Sequence, residues 1–225
     1  LFFGDGVGTS SWTAARFAAG TPQAERFPVA GLVDTRSSSH RVTDSAAGAT
    51  VYATGMRTYN GAIGVGPDSL PLRTILEVAR DRGMSTGLVA TSAITHATPA
   101  SFAAPVVSRR MEPEIARQMA AQEIDVLLGG GRMFFDGTAE DASDLLPALR
   151  ERYAYVETAE TFRALRMDTV TALLGLFDPA GMPPAPERSL TLAEMTGAAL
   201  ELLDRNPDGF FLMVDGSQPD SPGHA

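Results

Sequence analysis

Gly209-Phe210-Phe211-Leu212-Met213-Val214 is apolar at every position after its glycine. A strand with one wet face alternates apolar and polar residues, whereas a strand covered on both faces reads as a continuous apolar run, the habit of parallel sheets. Just upstream, residues 189–205 read as the longest helix, with Leu192, Met195, Ala199 and Leu202 spaced for one apolar face. The same alternation extends back through the chain. Strands are expected at 1–3 (a strand end), 29–33, 86–90, 124–128 and 171–177, and helices at 9–19, 44–56, 74–81, 113–122, 145–152 and 159–166. Asn60-Gly61 is a turn signal, and the proline-rich run 179–186 reads as a surface loop. Strands alternating with helices predict an α/β fold, a doubly wound and mostly parallel sheet with helices on both faces.

Such sheets bind ligands at the carboxyl ends of their strands. Asp5, the segment from Ala90 to Thr98, and Asp215 all fall just past expected strand ends. Asp5 lies between Gly4 and Gly6, where other backbone can approach closely; it suits either a hard cation or an Asp-Gly turn. Asp215, Asp220 and His224 follow at spacings of five and four residues, with Pro219, Pro222 and Gly223 favouring a loop over a helix. That cluster reads either as a solvated acidic loop or as a ligand set, with carboxylate and imidazole suiting zinc and an all-oxygen set suiting magnesium. Thr98 precedes Pro99 and is expected to be extended.

In Val42-Thr43-Asp44-Ser45-Ala46-Ala47-Gly48, a serine stands where a loop-like run turns into a helix start. The first turn of a helix carries unpaired N–H groups and partial positive charge, which eases ionisation of a hydroxyl and favours a bound anion. Ser45 is therefore a candidate nucleophile toward an anionic group, although the segment also fits an ordinary N-cap. Arg109, after Ser108, is a candidate clamp, because a guanidinium fork grips two phosphate oxygens at once; a solvated surface arginine is the plain alternative and suits Arg110. His40 reads as a loop residue.

The chain carries 27 acidic residues against 18 basic ones, all arginine, for a formal charge of −9. That balance argues against nucleic acid or an anionic membrane as a partner, and means that an anionic substrate needs concentrated local positive charge. No apolar run approaches a membrane span. With no cysteine, disulfides and thiolate metal sites are excluded. The opening inside a strand without Met and the stop at Ala225, next to a candidate ligand, predict one partial domain over 1–225, truncated at both ends.

Taken together, Gly4-Asp5-Gly6, Asp44-Ser45-Ala46, Ala97-Thr98-Pro99 and Ser108-Arg109 resemble the alkaline phosphatase family in motif, order and spacing. Thr58-Tyr59-Asn60-Gly61, Leu127-Leu128-Gly129-Gly130-Gly131 and Leu173-Leu174-Gly175-Leu176-Phe177 match as well, so the likeness runs over essentially all 225 residues. The resemblance implies hydrolysis of small phosphate monoesters through a phosphoserine on Ser45, with two zinc ions and one magnesium. It implies that Asp5 bridges a zinc and the magnesium, that a zinc also contacts Ser45, that Asp215 and Thr98 hold magnesium, and that Asp220 and His224 hold one zinc. It makes Arg109 the phosphate clamp, Asp44 its support, and His96 a contact of phosphate or of metal-bound water. It also implies export from the cytoplasm and leaves room for a homodimer. One departure stands out: the family usually has Glu at the position of Asp215, and the shorter side chain predicts a weakened or remodelled magnesium site. Two other readings remain open, a phosphodiesterase or sulfatase relative and an inactive metal- or phosphate-binding half-domain. Ser45 lacks the C/S-x-P-x-R context of sulfatases.

Overall fold

A computed structural model describes residues 1–220. The elements run β1 (Phe2–Gly4), α1 (Thr9–Ala19), α2 (Ser45–Thr54), α3 (Ile75–Arg80), β2 (Ser85–Ala93), α4 (Ala97–Ala100), α5 (Glu112–Ala121), β3 (Val126–Gly130), α6 (Leu146–Arg152), β4 (Ala154–Val156), α7 (Ala159–Arg163), β5 (Leu173–Leu176), α8 (Leu192–Leu203) and β6 (Phe210–Gly216), with short 3₁₀ turns between some of them. The strands form one six-stranded sheet in the order β1-β6-β2-β3-β5-β4, and every neighbouring pair is parallel.

Side chains that alternate along each strand enter two separate cores. Leu88, Leu127, Leu174 and Met213 pack with Ile115 and Met119 of α5 and Leu149 of α6. Val89, Leu128, Leu173, Leu212 and Val214 pack with Phe162 of α7 and Met195, Ala199 and Leu203 of α8. Both faces are thus covered, which is why the strands read as unbroken apolar runs. Each fully buried side chain of Leu or Ile size contributes roughly 1.5–3 kcal/mol by leaving water.

Four expectations change. Residues 29–33 form no strand; the segment is exposed coil, with Val29 and Leu32 in solvent, so its apolar residues have no sheet to join. Ala154–Val156 is a short edge strand on β5 that its three residues were too few to announce. Thr98 is not extended: it lies in the single turn α4, where Pro99 sits early enough that its missing N–H removes no helical hydrogen bond. Asp215 lies inside β6, paired with Phe3 and Ala90, rather than beyond the strand.

The topology brings the carboxyl ends of β1, β6 and β2 side by side. Asp5 follows β1 and its N–H donates to the Gly216 carbonyl, at 3.2 Å, at the end of β6. The loop after β2 carries His96 and Thr98. Gly6 is required here twice over: its φ is +67°, and a Cβ would lie 2.6 Å from the Asp220 Cα.

Candidate active site

Asp44, not Ser45, is the N-cap of α2; its carboxylate accepts the Ala47 N–H at 3.0 Å and leaves Ser45 as the first helical residue. The reading of Ser45 as an N-cap is therefore corrected. Its hydroxyl is spared for other work and donates toward both carboxylate oxygens of Asp5, at 3.2 and 3.1 Å.

Asp44 also fixes the arginine. The Asp44 Oδ2 accepts from the Gly61 N–H at 3.0 Å and from Arg109 Nη1 at 3.2 Å. The backbone N–H of Arg109 donates to the Gly61 carbonyl at 2.7 Å, so Asn60-Gly61 and Arg109 are held as one unit. Arg109 Nη2 lies 2.9 Å from His96 Nε2. A guanidinium has no acceptor, so Nε2 receives the hydrogen bond and the imidazole proton belongs on Nδ1. Burial first, and then the Arg109 charge, lower the His96 pKa to about 4, so the ring is neutral at neutral pH. Two of the five N–H donors of Arg109 are thereby committed, and the rest remain for a ligand.

Asp5, Asp44, Ser45, Thr98, Arg109 and Asp220 line one cavity of about 800 Å³. His96 and Asp220 border a second cavity of about 280 Å³. Asp215 is fully buried; its Oδ2 accepts from Ser217 Oγ at 2.5 Å, and its Oδ1 has no hydrogen-bond partner. Burial is the main reason that its pKa rises to about 7, with the Asp5 and Asp220 charges adding to the effect. Asp5 is raised in the same sense, by burial first. His224 lies outside the described residues.

Among the described residues no three His, Asp or Glu side chains form a ready-made metal cage. The donor set nevertheless suits a hard cation. An orphaned buried carboxylate oxygen is rare and calls for a partner, and Asp5, Asp215 and Asp220 raise one another's cost of ionisation.

Two residues of this region escaped the sequence reading. Ser217 holds Asp215 from two positions away, and its own N–H donates to Thr91 Oγ1 at 3.0 Å. Glu112, at the start of α5, accepts from Thr95 Oγ1 at 2.6 Å and tethers the Arg109 segment to the loop after β2. Burial pushes its carboxyl above the usual range. Glutamate at a helix start and serine in a loop are too ordinary to stand out; only a three-residue spacing from Arg109 marks Glu112.

The alkaline phosphatase family model matches residues 1–225. The chain belongs to the alkaline phosphatase family. Similar relatives include alkaline phosphatase 3 of Bacillus subtilis, 42% identical over 192 residues, which pairs 81% of this chain with 40% of the relative. Alkaline phosphatase 4 of the same organism is 37% identical and pairs the whole chain with 52% of the relative. The chain thus spans about half the length of the curated alkaline phosphatases it matches. The structure of alkaline phosphatase from the Antarctic bacterium TAB5 superposes with a TM-score of 0.92 at 38% identity, over all of this chain and 66% of that one. A mutant of the TAB5 alkaline phosphatase carries magnesium in its M3 site.

Proposed function

We propose that this alkaline phosphatase family member hydrolyses phosphate monoesters, with Ser45 as nucleophile and Arg109 as phosphate clamp. The observation that carries the reading is the shared cavity: a helix-start hydroxyl, a tethered arginine and carboxylates at the ends of adjacent strands face one volume. The domain of residues 1–225 supplies this part of the catalytic machinery.

Asp5, Thr98, Asp215 and Asp220 are the residues that would hold cations, with His224 as a further ligand: magnesium at Asp215 and Thr98, zinc at Asp220 and His224, and Asp5 between them. Bound there, cations supply positive charge that stabilises attacking and leaving oxygens and eases ionisation of the serine hydroxyl. The chain's own residues do the rest. The remaining N–H groups of Arg109 bind nonbridging phosphate oxygens, while Asp44 and neutral His96 fix the plane of the fork. The first turn of α2 presents partial positive charge to the phosphoryl group. Asp5 accepts the hydrogen bond of the Ser45 hydroxyl and so aims its oxygen into the cavity. Attack on phosphorus forms a phosphoserine and expels the alcohol; water then cleaves it to free phosphate and restores the hydroxyl.

The test is acid-quenched turnover of an aryl phosphate by the whole gene product. Phosphate is expected on the peptide containing Ser45, and Ser45→Ala should lose both the phosphopeptide and steady-state turnover. A Ser45→Ala protein that still turns over at the unaltered rate would overturn the assignment.

A further inference from the structure

A second anion-binding pocket adjoins this cavity, and nothing in the mechanism uses it. Arg36, Arg41 and Arg57 converge with His40 and the serines of 37–39 around a hollow of about 290 Å³, near the lower end of ligand-sized sites. One carboxylate, Asp34, pairs with Arg36 at 2.6 Å and with Arg57 at 2.9 Å. Arg41 makes no ion pair among the described residues. Three guanidiniums against one carboxylate leave a local excess of two positive charges on a chain whose formal charge is −9.

The arrangement is built by the fold. Ser37 is buried, and its hydroxyl both accepts the His40 N–H at 3.0 Å and lies 3.2 Å from the His40 carbonyl. The Ser38 N–H donates to the Thr58 carbonyl at 2.8 Å, and the Asn60 N–H donates to Ser39 Oγ at 3.0 Å. These bonds staple the 36–41 loop to the segment after α2 that supplies Arg57. Asn60-Gly61 in turn holds Arg109, so the basic pocket and the phosphate clamp share one anchor. The two hollows also share a wall, because Asp34 lines the Ser45 cavity while its partners Arg36 and Arg57 line the basic pocket. Arg41 precedes Ser45 by four residues, so their Cα atoms are at most about 14 Å apart along the chain.

We propose that this pocket binds a second phosphoryl group of the substrate, giving the protein a preference for metabolites that carry two phosphates over those that carry one. Arginine forks match phosphoryl oxygens bidentately, and the serine hydroxyls add donors. The proposal rests on the phosphatase reading above and names the substrate class of that site.

The test compares adenosine 3′,5′-bisphosphate with adenosine 5′-monophosphate as substrates of the whole gene product, and measures binding of inorganic pyrophosphate to the Ser45→Ala protein by calorimetry. The expected ratio of kcat/KM, bisphosphate over monophosphate, exceeds one, and it falls about fivefold in Arg41→Gln, while Arg41→Lys keeps most of it. Pyrophosphate affinity should fall by a similar factor in Arg41→Gln. Arg41 is exposed and bonded to nothing described, so its replacement leaves the fold intact; Arg36→Gln provides the second variant. Ratios and affinities unmoved by both variants overturn the proposal. Arg41-sensitive pyrophosphate binding without turnover of either nucleotide supports the pocket and sinks the phosphatase reading instead.

Discussion

At the scale of single residues, Asp44 and Asp215 show how one carboxylate takes on several jobs. Asp44 caps α2, receives the Gly61 N–H and orients Arg109. Asparagine caps about as well as aspartate, whereas alanine loses about 1 kcal/mol. Asp44→Ala should therefore lower thermal stability and raise KM for an aryl phosphate, while Asp44→Asn should keep stability and still raise KM, because its neutral amide holds the guanidinium weakly. Melting temperature and steady-state kinetics on the pair separate the two roles. Asp215 gives a pH signature. Its folded-state pKa is raised to about 7 from an ordinary 3.8. The folded state then holds a proton that the unfolded state has released, so this group's contribution is fully present below pH 4 and lost as pH rises to about 7. The change amounts to roughly 4 kcal/mol at most, from about 1.4 kcal/mol per unit. In chelator-treated protein, Asp215→Asn should flatten the stability profile between pH 4 and 7, as read by denaturant titration. Equal slopes for both proteins would refute the buried, ionisable assignment. Asp44, Ser45 and Arg109 were legible because chemistry needs those residue types at a loop-to-helix junction. The neutrality of His96 was not, since it depends on burial and on an arginine thirteen residues away.

At the scale of elements, the glycine run that ends β3 has a structural reason. A Cβ on Gly130 would lie 2.0 Å from the Ala180 carbonyl oxygen, and Gly131 sits at φ +91° with its N–H donating to the Asp178 and Ala180 carbonyls. The loop at 178–181 is thereby pressed against the sheet end, where Ala180 and Gly181 wall the smaller cavity beside His96. Gly130→Ala must push that loop away. The expected cost is about 1–3 kcal/mol, the usual penalty of overpacking, together with reduced activity; a melting temperature unchanged from the parent would show that the loop yields freely. At the other end of the sheet the cost is ordinary. Thr191 closes a capping box with Glu194 at the start of α8, and Thr191→Ala should lose about 1 kcal/mol in chemical denaturation without touching turnover. These elements also show what periodicity conveys. The apolar runs at 86–90, 124–128, 171–177 and 209–214 correspond to four central strands, because burial on both faces leaves a strong signal. Residues 29–33 carried a similar apolar signal without a strand, since pattern alone does not supply a neighbouring strand to pair with. The helix start at Leu192 rather than at 189 was set by the Thr191 cap, a choice that spacing does not make.

At the scale of the whole molecule, the packing is uneven. The sheet is covered on both faces from β6 to β5, yet β1 stands at an edge with Phe2 70% exposed, and α1 buries none of its residues. Phe17, Phe27, Leu32 and Val42 are all in solvent. Apolar surface of this extent marks a contact region, and it lies on the segment that walls the Ser45 cavity through Val33 and Val42. The relatives are about twice as long as this chain, so their additional residues are the natural source of cover and of further cation ligands. Residues 1–225 expressed alone are therefore expected to hydrolyse an aryl phosphate at close to the uncatalysed background, and to bind a hydrophobic dye more strongly than the whole gene product does. The whole product should turn the same substrate over and stop when a chelator removes its cations. The two halves of this prediction fail separately. Full metal-dependent turnover by residues 1–225 would show that three carboxylates and one threonine at the strand ends suffice, whereas dye binding equal in both would show that the exposed apolar segment keeps its surface open for something outside the chain.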